Sequence, residues 1–140
     1  MTSASFSPDG SKIVTSGADT TARLWNPQGR EIGTLKGHTS ELTSASFSPD
    51  GTRIVTTSWD GTARVWDLHG TLLATLEGHR AGVSAASFSP NGTRILTASW
   101  DKTVRIWDLH GTLLATLEGH TAWVSSASFS PDGSRVLTTS

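Results

Sequence analysis

Residues 88–108 read FSPNGTRILTASWDKTVRIWD. The Pro-Asn-Gly at positions 90–92 is typical of a tight turn. The stretches on either side of Asp101 and Lys102 are rich in β-branched and aromatic residues, which favour strands, and these two residues supply a second turn. The segment therefore predicts short antiparallel strands that follow one another directly along the chain.

The same segment recurs every 41 residues. A Phe-Ser-Pro-Asp/Asn-Gly phrase begins at Phe6, Phe47, Phe88 and Phe129. Residues 47–87 and 88–128 are identical at 32 of 41 positions, and most of the nine differences are conservative. A fixed period of this length indicates stacked copies of one supersecondary unit. The copies are therefore expected to share one local structure.

Each unit predicts four strands. In the unit that contains residues 83–117, turn residues interrupt the chain every few positions, and no segment keeps apolar residues at helical spacing. The resulting meander is apolar on both faces, so neighbouring copies must cover both sides. Ser and Ala dominate the first strand, as expected where strands crowd around a central axis. These features favour the blade of a β-propeller.

Composition restricts the class of protein. The chain has 35% hydrophobic residues, 16% charged residues and a formal net charge of −1, as in an ordinary soluble globular protein. It lacks cysteine, a cluster of basic residues and an apolar run long enough to span a membrane. We expect a soluble, cytoplasmic protein that binds neither nucleic acid nor membranes.

Two dipeptides make the resemblance specific. Gly-His pairs end at His38, His79 and His120, and Trp-Asp pairs begin at Trp66 and Trp107. The chain resembles the WD40 repeat family over essentially its whole length. The resemblance implies an all-β fold of roughly three and a half propeller blades, which we place at residues 1–37, 38–78, 79–119 and 120–140. The first unit has Trp25-Asn26 instead, a tolerable change because Asn still offers an acceptor.

The resemblance also implies a structural relay in each blade, in which Asp accepts from His, His meets a Ser hydroxyl, and Ser meets the Trp indole. The corresponding sets are His38, Ser58, Asp60 and Trp66; His79, Ser99, Asp101 and Trp107; and a set divided between the two ends of the chain, His120 and Ser140 with Asp19 and Trp25.

A hydrolase that uses a His, Ser and Asp set is the alternative, but a catalytic set is needed once and this one repeats. His69 and His110 lack further metal ligands at useful spacing. We therefore expect no enzymatic activity, cofactor or metal.

The family's usual binding face maps onto a set of loop and strand-end residues, which the resemblance makes the expected contacts of a protein partner. They are Trp59, Trp100, Trp123, Glu41, Thr43, Ser84 and Ser125. The three tryptophans could instead pack over neighbouring loops, or stack on sugars, which makes a carbohydrate-binding propeller an alternative function.

Three and a half units are too few for a ring, since propellers have about 4–8 blades. Because the open ends would expose apolar faces and unpaired strand edges, we expect head-to-tail assembly of two or three chains into a closed ring. We therefore predict that the chain is a scaffold for protein–protein interaction and self-assembly. The alternative is a fragment, or an engineered or amplified array, without an independent function.

Overall fold

The computed structural model describes residues 1–140 and contains strands, turns and loops but no helix. Fourteen strands follow one another along the chain. They are β1 (Ser3–Phe6), β2 (Ile13–Ser16), β3 (Thr21–Trp25), β4 (Glu31–Lys36), β5 (Leu42–Phe47), β6 (Arg53–Ser58), β7 (Ala63–Asp67), β8 (Leu72–Leu76), β9 (Val83–Phe88), β10 (Arg94–Ser99), β11 (Val104–Asp108), β12 (Leu113–Leu117), β13 (Ser126–Phe129) and β14 (Val136–Thr139).

The strands form four antiparallel sheets in sequence order. Strands β1–β4, β5–β8 and β9–β12 each make a four-stranded meander, and β13 and β14 make a two-stranded sheet. We call these sheets blades 1, 2 and 3 and the C-terminal half blade. The predicted fold class, all-β with four-stranded antiparallel blades, is confirmed.

The Phe-Ser-Pro-Asp-Gly phrase forms the turn between the first two strands of a blade. In blade 2 the Ser48 hydroxyl donates to Asp50 Oδ1 at 2.6 Å and accepts the Arg53 backbone N–H at 3.0 Å. Gly51 has φ +71°, in the left-handed region that glycine adopts without strain. The phrase therefore recurs because each turn needs this hydroxyl, this glycine and a side-chain oxygen at the third position, which Asn91 supplies in blade 3.

The hydrophobic core lies between the blades. Because alternate residues of a strand point to opposite faces, Ile54 packs towards blade 1 and Val55 towards blade 3. One cluster joins Val14 and Leu24 of blade 1 to Ile54 and Trp66 of blade 2. Two further clusters join blade 2 to blade 3 and blade 3 to the half blade. Each blade is therefore stabilised by its neighbours.

The outer faces of the two terminal sheets have no such neighbour. Leu137 of the half blade is 69% exposed, whereas Val55 and Leu96, at the same position of the repeat, are 1% and 0% exposed. At the other end, Phe6 of blade 1 is 68% exposed. The array therefore presents one uncovered sheet face at each end.

Candidate functional site

A chain of hydrogen bonds crosses blade 2 from its interior to its second turn. The Trp66 indole N–H donates to Thr56 Oγ1 at 2.9 Å. Thr56 Oγ1 also lies 2.8 Å from His38 Nε2, and His38 Nδ1 lies 2.7 Å from Asp60 Oδ2. The side chains of His38 and Asp60 are only 2% and 7% exposed. The relay therefore ties β6, β7 and the loop before β5 together inside the blade.

The donors fix the direction of the relay. The indole nitrogen of Trp66 can only donate, so the Thr56 oxygen accepts there, and its single hydrogen is free to point at His38. The Nε2 of His38 then accepts, which leaves the hydrogen on Nδ1 to be donated to the carboxylate of Asp60. A neutral imidazole and an ionised carboxylate satisfy every member of this chain.

The hydroxyl of the relay is a threonine and not the predicted serine, which is a correction to the sequence analysis. The Ser58 hydroxyl donates to the Ser40 carbonyl at 3.0 Å and accepts the Asp60 backbone N–H at 3.1 Å. Thr56 and Ser58 lie on the same face of β6, but Ser58 is two residues nearer the turn. Its hydroxyl therefore holds the turn and the loop before β5, out of reach of the indole.

Blade 3 repeats this arrangement with the same correction. The Trp107 indole donates to Thr97 Oγ1 at 2.9 Å, and Thr97 Oγ1 lies 2.7 Å from His79 Nε2. His79 Nδ1 lies 2.7 Å from Asp101 Oδ2. Ser99, the predicted member, donates instead to the Gly82 carbonyl at 2.9 Å. The relay is therefore present in both four-stranded blades that follow a Gly-His pair, blades 2 and 3.

The set divided between the chain ends forms two separate halves. His120 Nε2 lies 2.7 Å from Thr138 Oγ1, so threonine again replaces the predicted Ser140. In blade 1 the Trp25 indole donates to Thr15 Oγ1 at 2.9 Å. The Asp19 carboxylate there accepts from Thr21 and pairs with Arg23 on the surface. Each half therefore has the threonine; the half blade has the histidine that blade 1 lacks, and blade 1 has the Asp and Trp that the half blade lacks.

Burial and hydrogen bonding set the charge state of the relays. Burial lowers the pKa values of His38 and His79, and the neighbouring carboxylates oppose that shift only in part. Burial alone would raise the pKa of Asp60, but hydrogen bonds from Thr62, His38 and Thr39 outweigh it, so the pKa lies below its ordinary value. These directions agree with the neutral imidazole and ionised carboxylate that the donors require.

Acidification is expected to destabilise the chain in two steps. The pKa values of His38 and His79 fall below 6.5 on folding, so the unfolded chain binds more protons as the pH drops below that value. The lowered pKa of Asp60 adds a second loss as the pH falls below 3.8. Urea unfolding between about pH 8 and about pH 5 should show the first step.

His79→Gln should reduce that first step, because it removes one of the two buried imidazoles whose pKa values fall on folding. An unfolding free energy that rises as the pH is lowered through 6.5 would contradict the assignment of neutral histidines.

Two of the three glycines that follow the fourth strands lie directly against side chains of the next blade. A side chain at Gly37 would collide with Arg64 and press on the Trp66 ring, and Gly78 stands in the same relation to Arg105. Nothing approaches Gly119, the third glycine of this series. Arg64 and Arg105 therefore pack against these glycines in blades 2 and 3, whereas Arg23 forms surface ion pairs with Asp19 and Glu31.

The three tryptophans of the predicted binding face lie together as one cluster. The ring centroids of Trp59 and Trp100 are 4.5 Å apart, and those of Trp100 and Trp123 are 4.0 Å apart, with interplanar angles of 81° and 80°. The ring of Trp59 also lies over Gly82, where a side chain would collide with it. The residues are 39%, 43% and 51% exposed. The rings thus pack on one another and still present a broad apolar surface.

Two further predicted contact residues serve the joints between blades. Thr43 and Ser84 occupy β-bulges in β5 and β9, which turn their side chains towards the next blade. Thr43 donates to the Val83 carbonyl at 2.6 Å, and Ser84 donates to the Val124 carbonyl at 2.7 Å. These hydroxyls link blades, a role that the sequence analysis had missed.

The remaining predicted contacts lie beside the cluster or at the array's end. Glu41 is exposed, and its carbonyl accepts the Trp59 backbone N–H at 3.1 Å. Ser125 is exposed on the half blade, where its hydroxyl donates to the Thr139 carbonyl at 3.2 Å. Glu41 therefore lies beside Trp59 of the cluster.

A protein-family model described as WD domain, G-beta repeat matches residues 1–26, 29–67, 70–108 and 111–140. The chain belongs to the WD40 repeat family. The resemblance inferred from the Gly-His and Trp-Asp dipeptides is confirmed over nearly the whole chain. A search of curated protein sequences found no match. WD40 repeats generally mediate protein–protein interaction as scaffolds and are typically not enzymes.

The Asp of each WD40 dipeptide ties the turn that follows it. Asp67 Oδ1 accepts the backbone N–H groups of His69 at 2.8 Å and Thr71 at 2.9 Å. Asn26 accepts two backbone N–H groups in the same way, which confirms that Asn is tolerated there. No group of three or more His, Cys, Asp or Glu residues is placed to hold a metal ion. A helix able to cross a membrane is not found.

Proposed function

We propose that this WD40 chain is a non-enzymatic scaffold that binds a protein partner through its tryptophan cluster and joins head to tail with a second copy to close a six-bladed ring. The observation that carries the proposal is the exposure of Leu137 on a face that is buried at every other blade. Covering that face with a second copy of the chain removes it from water.

The number of chains follows from the repeat. Each chain contributes three units of 41 residues, so two chains supply six blades and three supply nine. Propellers have about 4–8 blades. A pair of chains therefore fits the ring sizes that this fold adopts, and a trio exceeds them.

The relays support a structural role and not a catalytic one. Thr56 and Thr97 are fully buried, and each hydroxyl is already engaged by an indole and an imidazole. A substrate cannot reach an oxygen in that position without opening the blade. The same arrangement in two blades is what a stabilising element requires and what a single active site does not.

Self-association is expected to depend on Leu137 and not on other exposed leucines. Leu137→Lys places a charge on the uncovered sheet face and should convert a two-chain species into single chains in sedimentation velocity. Leu114→Lys changes a leucine that is 48% exposed on the outermost strand of blade 3, and it should leave the assembly intact. A wild-type chain that sediments as a monomer at every micromolar concentration would contradict the proposal.

The tryptophan cluster supports a protein partner. Partly exposed tryptophans are enriched among the residues that dominate protein interfaces. Carbohydrate binding needs open ring faces, and in each of the two pairs here the edge of one ring meets the face of the other. The geometry therefore favours contact with apolar side chains over stacking on a sugar. The absence of nucleic-acid and membrane partners and a cytoplasmic location remain predictions from composition.

Loss of Trp100 is expected to weaken partner binding strongly. Peptides selected from a library against the wild-type chain should bind at least about tenfold more weakly to Trp100→Ala and equally well to Leu114→Ala. An immobilised glycan panel screened in parallel tests the carbohydrate alternative. A glycan that binds the wild type but neither Trp59→Ala nor Trp100→Ala would replace the protein partner in this account.

A further inference from the structure

The half blade contains an unfilled position for a tryptophan. A cavity of about 280 Å³ is lined by Val104, Leu117, Gly119, Val136 and Thr138, among others. In blades 2 and 3 the corresponding space above the glycine is taken by the indole of the third strand, which donates to the threonine of the second strand. The cavity at Gly119 therefore has the place and the hydrogen-bond acceptor that an indole requires.

Leu117, which lines this cavity, is also left partly uncovered. Leu117 is 36% exposed, whereas Leu76 at the same position of blade 2 is 0% exposed and packs in the cluster that contains Trp107. His120 lacks a partner at Nδ1, where His38 and His79 each meet a carboxylate. The cavity at Gly119 and the free Nδ1 of His120 therefore match a third strand that has an Asp in the turn before it and a Trp within it.

Blade 1 carries such a strand. Asp19 lies in the turn before β3 and Trp25 is the last residue of β3, and in this blade neither is joined to a histidine. We infer that, within the ring proposed above, β13 and β14 of one chain replace β1 and β2 on β3 of the second copy, so that Asp19 and Trp25 of that copy complete the relay of His120 and Thr138. This inference rests on the proposed self-assembly. We call the joint between the two chains, made of β13 and β14 of one chain and β3 and β4 of the other, the hybrid blade.

The exchanged segments are interchangeable in sequence. Residues 3–11 and 126–134 are identical, and Thr15 and Thr138 are the same residue at the relay position. In blade 1 the register pairs Val14 with Leu24 and Thr15 with Arg23. The β14 strand fits the same register, with Leu137 in the place of Val14. An element that can occupy two equivalent sites in this way is the usual basis of domain swapping.

The exchange also preserves the joint to the following blade. Thr2 of blade 1 donates to the Leu42 carbonyl at 2.7 Å, as Thr43 and Ser84 do to the next blades. Ser125 is the fourth residue of this series. In the hybrid blade its hydroxyl would donate to the Leu42 carbonyl of the second copy, and Leu137 would enter the cluster that now contains Val14.

The balance of contacts favours the hybrid blade. Strand pairs broken between β2 and β3 are remade between β14 and β3 in the same register. The gains are the filled cavity at Gly119, the carboxylate for His120 and the burial of Leu137 and Leu117. The cost is the release of residues 1–16, including Val14. Since the joint forms between chains, its population should rise with protein concentration.

Engineered cysteines test the joint, because the chain has none of its own. Ser16 and Ala22 are register partners in blade 1, and Thr139 takes the place of Ser16 in the hybrid blade. Ala22→Cys with Thr139→Cys should therefore form a disulfide between chains under mild oxidation. Ser16→Cys with Ala22→Cys is the matched control, which should close within one chain at concentrations where it is monomeric.

Trp25→Ala tests the joint without cysteines. It should weaken two-chain assembly at least about tenfold, whereas Leu114→Ala, on the outermost strand of blade 3, should leave it unchanged. Assembly without an interchain disulfide, and unaffected by Trp25→Ala, would overturn the hybrid blade and leave self-association through a different contact. A chain that stays monomeric would overturn both that joint and the proposed self-assembly.

Discussion

Asp101→Ala is expected to lower the free energy of unfolding by about 3 kcal/mol. The carboxylate accepts four hydrogen bonds: from the ring of His79, from the backbone and hydroxyl of Thr103, and from the Arg80 backbone N–H. Its removal leaves the buried Nδ1–H of His79 without an acceptor. Urea denaturation in the monomeric Leu137→Lys background measures this loss without a contribution from association.

Asp108→Ala provides the control for that experiment. Asp108 also accepts two backbone N–H groups in a turn, but these lie on the surface, where water can replace the carboxylate. We expect a cost of about 1 kcal/mol or less. Equal losses for Asp101→Ala and Asp108→Ala would mean that the relay contributes no more than an ordinary turn.

Thr97→Val should cost about 2–4 kcal/mol, because one substitution leaves two buried groups without partners. The indole N–H of Trp107 loses its acceptor, and Nε2 of His79 loses its donor. Valine matches threonine in shape, so the loss reports the hydroxyl and not a cavity. The measurement is again urea denaturation in the monomeric background.

Ser99→Ala is the matched control for the threonine. Its hydroxyl donates to the Gly82 carbonyl and accepts the Asp101 backbone N–H, and it serves no other side chain. We expect about 1 kcal/mol for its loss. The sequence-based assignment predicts the opposite order, so a larger loss for Ser99→Ala than for Thr97→Val would restore serine as the relay hydroxyl.

The repeat, the strands and the turns could be predicted from the sequence because each depends on local chemistry. The Pro-Asn-Gly turn, the β-branched strand that contains Ile95 and the apolar residues on both strand faces recur in register, so each copy supports the others. The substitution of Asn26 for Asp was interpreted correctly for the same reason, since a side-chain oxygen is all that this turn needs.

The choice between Thr56 and Ser58 could not be made from the sequence. Both carry a hydroxyl and both lie on the same face of β6. The distinction depends on where the Trp66 indole reaches across the sheet, which strand pattern and spacing do not specify. Thr43 was assigned to partner contact for a similar reason, because the bulge that turns it towards Val83 has no signature in the residues themselves.

The number of chains in solution tests the central claim most directly. Light scattering during size exclusion of the wild-type chain at micromolar concentration should give about twice the chain mass of 14.8 kDa. This result is predicted because a blade face such as that of Leu137 is otherwise left in water. A stable, folded species of one chain mass across the whole concentration range would contradict the account.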